Sequence, residues 1–124
     1  MINEYRKHFN SFKRTNEYRE LQSYLIRKQL GLCINCRKPI NLNKDTHCYH
    51  CISIFDALIV NRKDLTTNYN NFYLSCNSCN YKQSKNSNFN ILKEDVFKLL
   101  SLSEIAKIVY LRKYELNIKQ LCIY

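Results

Sequence analysis

Two short stretches decide how this chain folds: Leu32-Cys33-Ile34-Asn35-Cys36-Arg37 and Ser75-Cys76-Asn77-Ser78-Cys79-Asn80. Each holds two cysteines with two residues between them. That spacing turns both sulfurs of one tight turn toward a single ion, and four thiolates suit tetrahedral zinc. A third pair, Cys48 and Cys51, lies between the other two. The residues therefore leave two pairings open. Either the first pair joins the third, or it joins the second in the manner of a zinc ribbon or finger. In the first case Cys48 and Cys51 become small buried residues, or hold a second metal together with His47. Cys122 stands alone and reads as a packed thiol.

Working outward, Thr15 or Asn16 can cap a helix with Glu17 and Glu20 in its first turn, where carboxylates favour the helix dipole. Leu21, Tyr24, Leu25 and Lys28 trace one of its faces. The chain's one glycine, Gly31, falls where that helix should stop. Residues 46–54 are rich in strand formers, and residues 61–71 are polar enough to read as an excursion loop. Toward the C-terminus, one helix is expected over 91–100. A second follows Ser101-Leu102-Ser103-Glu104, which has the spacing of a capping box. Residues 1–15 mix basic and aromatic side chains. They read either as the start of an amphipathic helix or as an arm whose Arg6, Lys7, Lys13 and Arg14 meet phosphates while Tyr5, Phe9 and Phe12 stack on bases.

The chain has 124 residues, 45% of them hydrophobic, which is enough for one domain with a modest core. No apolar run approaches the roughly 18 residues of a membrane span. The first residues, Met1-Ile2-Asn3-Glu4-Tyr5-Arg6-Lys7, lack the apolar stretch of a secretory signal. Paired cysteines without such a signal point to metal binding in a reducing intracellular compartment rather than to disulfides. Twenty Lys and Arg against ten Asp and Glu leave a net charge of +10, which favours a polyanionic partner such as RNA or DNA through counterion release. Asn, Lys, Ile and Tyr are abundant while Gly and Pro occur once each. This is the usage of an A/T-rich genome, such as that of an organelle, a phage or a virus.

Between the outer knuckles lie Tyr49-His50-Cys51 and Asn71-Phe72-Tyr73-Leu74-Ser75-Cys76, and the second knuckle runs on into Asn80-Tyr81-Lys82. A histidine, an asparagine ahead of the third cysteine, and Cys-x-x-Cys-Asn-x-Lys resemble the zinc-bearing form of the HNH endonuclease family over residues 25–82. The resemblance implies that the first and third pairs share the zinc through Cys33, Cys36, Cys76 and Cys79. It implies an α+β fold with a small zinc-stabilised ββα core flanked by N-terminal and C-terminal helices. Residues 1–31 would be a basic arm and helix, 32–83 the core and 84–124 a helical extension, all in one compact domain. It also implies catalytic roles for His50 as general base, Asn71 as the group orienting the imidazole, and Asn80 as a ligand of Mg²⁺ or Mn²⁺. Lys82 and Lys85 would meet phosphate.

One departure weighs against catalysis. The family places an aspartate before the histidine, and this chain has Tyr49. Magnesium wants at least one carboxylate, and the neighbouring acids in sequence are Asp45 and Asp56. The expectation is a nucleic-acid-binding protein that keeps the zinc fold as a component of a nucleoprotein assembly, such as an organellar ribosome. The alternatives are an active metal-dependent endonuclease cutting phosphodiesters, and a zinc-stabilised subunit whose terminal helices dock on protein neighbours.

Overall fold

The computed structural model describes residues 1–40, 47–80, 87 and 93–121, with the backbone alone for 77, 80, 93 and 112–121. Helices surround one small sheet. Helix α1 spans Ile2–Phe12 and α2 spans Asn16–Gln29. Of the two readings of residues 1–15, the amphipathic helix is the one observed, for a reason visible in its spacing: Tyr5, Phe9 and Phe12 recur on one helical face. Tyr5 and Phe12 are buried, and Phe9 packs edge-on against His50 at 4.4 Å. These rings are core, so they are not a platform for bases. The cations of α1 and of the turn after it, Arg6, Lys7, Lys13 and Arg14, are all exposed, with Arg6 lying 5.3 Å over the Phe55 ring and Lys13 lying 5.0 Å over the Phe9 ring.

Thr15 caps α2 as expected, its hydroxyl accepting from the Tyr18 amide at 3.3 Å. The helix ends through a left-handed residue, but that residue is Leu30 (φ 57°), with Gly31 (φ 69°) following it. The Gly31 amide then reaches back to the Ile26 carbonyl at 2.9 Å, closing the helix end.

Strand β1, Cys48–His50, pairs antiparallel with β2, Phe72–Leu74, in the register Cys48–Leu74, Tyr49–Tyr73 and His50–Phe72. The expected strand over 46–54 is cut short because Ser53 caps a new helix, α3 (Ile54–Ile59), by accepting from the Asp56 amide at 3.1 Å. Side chains alternate across the sheet as a pleat requires. Cys48, Phe72 and Leu74 pack with Phe12, Tyr18, Leu21 and Leu25 on the α2 side. Tyr49 and Tyr73 pack on the other side with Ala57, Val96, Leu100 and Ile108. The stretch expected to be an excursion loop contains two 3-10 turns, Lys63–Thr66 and Tyr69–Asn71, and lies close against the core, with Leu65, Thr66 and Asn71 buried.

The second knuckle runs into α4, Asn77–Asn80, which carries Cys79. Then α5 (Lys93–Leu99) and α6 (Leu102–Leu121) complete the described chain. The capping box forms: the Glu104 amide donates to the Ser101 hydroxyl at 3.1 Å, and the Ser101 amide donates to the Glu104 carboxylate at 2.9 Å. Arg62 joins the loop to α6, pairing with Asp64 at 2.9 Å and Glu104 at 3.3 Å. The architecture is therefore mixed helix with a small two-stranded sheet, in which α3 and the two 3-10 turns lie between β1 and β2 and α4 follows β2. Among the described residues no helix is long and apolar enough to cross a membrane.

Candidate metal centre

The four sulfurs of Cys33, Cys36, Cys76 and Cys79 lie within 4.8 Å of one another. A tetrahedron with zinc–sulfur bonds of about 2.3 Å has edges of about 3.8 Å, and the Cys36 and Cys76 sulfurs stand 3.7 Å apart. These thiols can hold a metal ion. Cys33 is buried, Cys36 is exposed, and the other two are half-buried.

The first knuckle is a tight turn closed by its own backbone. The Cys33 amide donates to the Lys38 carbonyl at 2.9 Å, and the Arg37 amide donates to the Cys33 carbonyl at 3.0 Å. Arg37 sits at φ 63° to complete it. Two devices dock this turn on β2 beside the second knuckle. The Ile34 amide donates to the Leu74 carbonyl at 3.2 Å. The Gln29 side chain mimics a neighbouring strand: its amide oxygen accepts from the Leu74 amide at 2.8 Å. Its nitrogen donates to the carbonyls of Leu74 at 2.9 Å and Leu32 at 3.0 Å. Gln29 thus sets the distance between the knuckles. No motif signalled it; in sequence it is one polar residue at a helix end.

The surroundings suit thiolates. Burial pushes the Cys33 thiol up, but the amides of Cys36, Cys76 and Asn35 and the Ser75 hydroxyl together bring it down to about 5. Cys79 is pushed up to about 12, first by its hydrogen bond with Cys76 and then by burial and the other two sulfurs. Four clustered thiols resist ionising together until a cation compensates them, so metal binding releases protons. This donor set fits a soft or borderline divalent ion.

The middle pair stays apart. Cys48 and Cys51 are buried on opposite sides of the sheet, and burial pushes the Cys48 thiol up to about 12. The tertiary structure therefore brings together the first and third pairs. Among the described residues no second group of three or more His, Cys, Asp and Glu side chains converges, at His47 or elsewhere.

His50 lies at the end of β1, half-buried between the rings of Phe9 at 4.4 Å and Phe72 at 4.5 Å. Its Nε2 is 2.9 Å from the Thr66 carbonyl. A carbonyl only accepts, so the ring carries its hydrogen on Nε2, and Nδ1 keeps the lone pair. Burial pushes its pKa down to about 4, with nearby Lys13 adding to the effect, while the Thr66 bond opposes. The imidazole is thus neutral at pH 7 and is oriented by Thr66. Asn71 is fully buried and does a different task. Its amide oxygen accepts from the Ile52 amide at 2.7 Å, and its nitrogen donates to the carbonyls of Ile52 at 3.0 Å and Leu65 at 2.8 Å. It pins the chain before and after α3, which in turn places Thr66 under His50.

Tyr49 alternates to the other face of the sheet, its ring 6.2 Å from that of Tyr73. Asp56 does not replace the absent aspartate. It is buried at the start of α3, and its carboxylate accepts from the Ser87 amide at 3.2 Å and from the Ser87 hydroxyl. Asp45, Lys82, Lys85, Cys122 and the Asn80 side chain lie outside the described residues. No protein-family model, curated protein or solved structure matches this chain.

Proposed function

We propose that this chain is a zinc-stabilised nucleic-acid-binding protein on an HNH-like core, a binding or structural component of a nucleoprotein assembly inside the cell, rather than a nuclease. The observation that carries this reading is the setting of His50. Its ring is packed between Phe9 and Phe72, Tyr49 stands where a metal-binding carboxylate is needed, and Asp56 is engaged with Ser87. A hard divalent ion has no acid to hold it there among these residues. The four cysteines act as a structural site: every position of a tetrahedral zinc is filled by a thiolate, leaving none for water or substrate.

The exposed Arg6, Lys7, Lys13 and Arg14 supply the phosphate contacts, together with Lys82 and Lys85. A protein neighbour is supported by the outer face of the C-terminal helices, where Phe97, Leu102, Val109 and Tyr110 are exposed. Leu102, Val109 and Leu116 recur at heptad spacing along α6. One observation favours the nuclease as a second reading: burial keeps His50 neutral and the Thr66 bond fixes its tautomer with Nδ1 as proton acceptor, the form a general base needs.

The test is binding of RNA and DNA oligonucleotides by the zinc-loaded protein, with a nicking assay in Mg²⁺ or Mn²⁺ beside it. If Arg6, Lys7, Lys13 and Arg14 each neutralise one phosphate, affinity for duplex falls about a hundredfold between about 50 and about 200 mM salt. No nicking is expected from the wild type or from His50→Ala. Cleavage by the wild type that His50→Ala abolishes would establish the second reading, and salt-insensitive or absent binding would overturn the first.

A further inference from the structure

We propose that the cleft between the end of α2, the first knuckle and β2 receives one unpaired base of a single-stranded nucleic acid, with its phosphate on Arg37. The inference rests on the nucleic-acid reading above and names the partner's form. The cleft has a volume of about 180 Å³, with Leu30, Leu32, Ile34 and Phe72 among its apolar walls and Lys28 and Arg37 as its cations. Drug-sized ligands need pockets from about 300 Å³ upward, so this one admits a single flat ring system. Lys28 is partly committed, 3.5 Å from Asp95 and 5.8 Å above the Tyr24 ring. Arg37 is exposed and makes no ion pair among the described residues, and the exposed Lys38 follows it.

The backbone points to the same place. Among the described residues three non-glycine residues have left-handed φ, and two of them, Leu30 and Arg37, line this one cleft. At such positions glycine is the residue that folding favours, because a Cβ crowds the carbonyl. The Leu30 side chain is 81% exposed, so it recovers none of that cost by burial. A ligand that Leu30 covers and Arg37 grips accounts for both residues. A nucleotide matches the walls: its base is flat and largely apolar on its faces, and its phosphate is anionic. A guanidinium can stack on the one and fork onto the other. Bases inside a duplex are already stacked and cannot enter.

The test uses the zinc-loaded full chain, a single-stranded oligonucleotide carrying one 2-aminopurine, and a duplex of equal length. Arg37→Gly removes the guanidinium and relieves the backbone. It should leave the urea midpoint unchanged or higher, yet weaken single-strand binding about tenfold and duplex binding less than twofold. The change in 2-aminopurine fluorescence on binding should disappear with it. Leu30→Gly should act in the same direction on single strands. Unchanged single-strand affinity in Arg37→Gly would overturn the cleft while leaving nucleic-acid binding standing. Equal losses on single strand and duplex would make Arg37 an ordinary phosphate contact and also overturn it. A wild type that binds neither form would remove both readings.

Discussion

Replacing Asn71 by alanine tests whether this side chain holds the fold together or serves the histidine. The wild-type amide makes three hydrogen bonds to main-chain groups of Ile52 and Leu65, all at buried residues. In Asn71→Ala one buried N–H and two buried carbonyls lose these partners. Each orphaned group costs about 1–3 kcal/mol. A carbonyl with a second partner suffers less, so the sum is about 3–5 kcal/mol. A domain of this size has about 5–15 kcal/mol in total, so the variant should be marginal at room temperature. Urea denaturation of zinc-loaded protein, followed by circular dichroism, measures the loss as a fall in midpoint. Asn71→Asp is the control. It keeps the acceptor for the Ile52 amide but turns a carboxylate toward two carbonyl oxygens. Its folded-state pKa is therefore raised. Its penalty should be large at neutral pH, shrink as the pH falls toward the ordinary carboxylate range, and change no further below it. A loss below about 1 kcal/mol in Asn71→Ala, with only the titration of His50 altered, would refute the clamp and restore the imidazole-orienting role.

Two further outcomes are expected. Stripping the metal with a strong chelator should unfold the region around the knuckles, since structural zinc contributes on the order of 10 kcal/mol in small domains. Circular dichroism and the count of reactive thiols would report it, and a chelated protein with an unchanged spectrum would show the ion to be dispensable. His50 is held near pKa 4 against 6.5 in the unfolded chain. Its contribution is present above about pH 6.5 and is lost as the pH falls through about 4; allowing for partial exposure it amounts to about 2 kcal/mol. Imidazole nitrogen signals should stay those of the neutral Nε2–H tautomer down to about pH 5. A titration midpoint near 6.5 would contradict the packing of Phe9 and Phe72 around the ring.

Much of the local structure was legible from the residues alone. Thr15, the Ser101–Glu104 box and the end of α2 near Gly31 each follow from hydrogen bonds made within one turn of chain. The knuckles were legible for the same reason, because two residues between cysteines leave the sulfurs few places to point. The inward packing of Tyr5, Phe9 and Phe12 was also written in their helical spacing, though mixing with cations let them be read as an arm. The strand over 46–54 was overextended because strand-forming side chains were weighed above Ser53, whose cap starts α3.

What the residues alone could not decide was partnership at long range. Three cysteine pairs have nearly the same local chemistry, and only the pairing of β1 with β2 sends Cys48 to one side of the sheet and Cys51 to the other, away from the cluster. Gln29 carries no motif, yet its amide spans helix, knuckle and strand. His50 and Asn71 were singled out as a base and the group that orients it, but their partners, Thr66 for one and Ile52 and Leu65 for the other, are set by how the chain between them folds back. A side chain's type and spacing determine which bonds it can make within a turn or two. Which distant group arrives to accept them is decided by packing the whole chain.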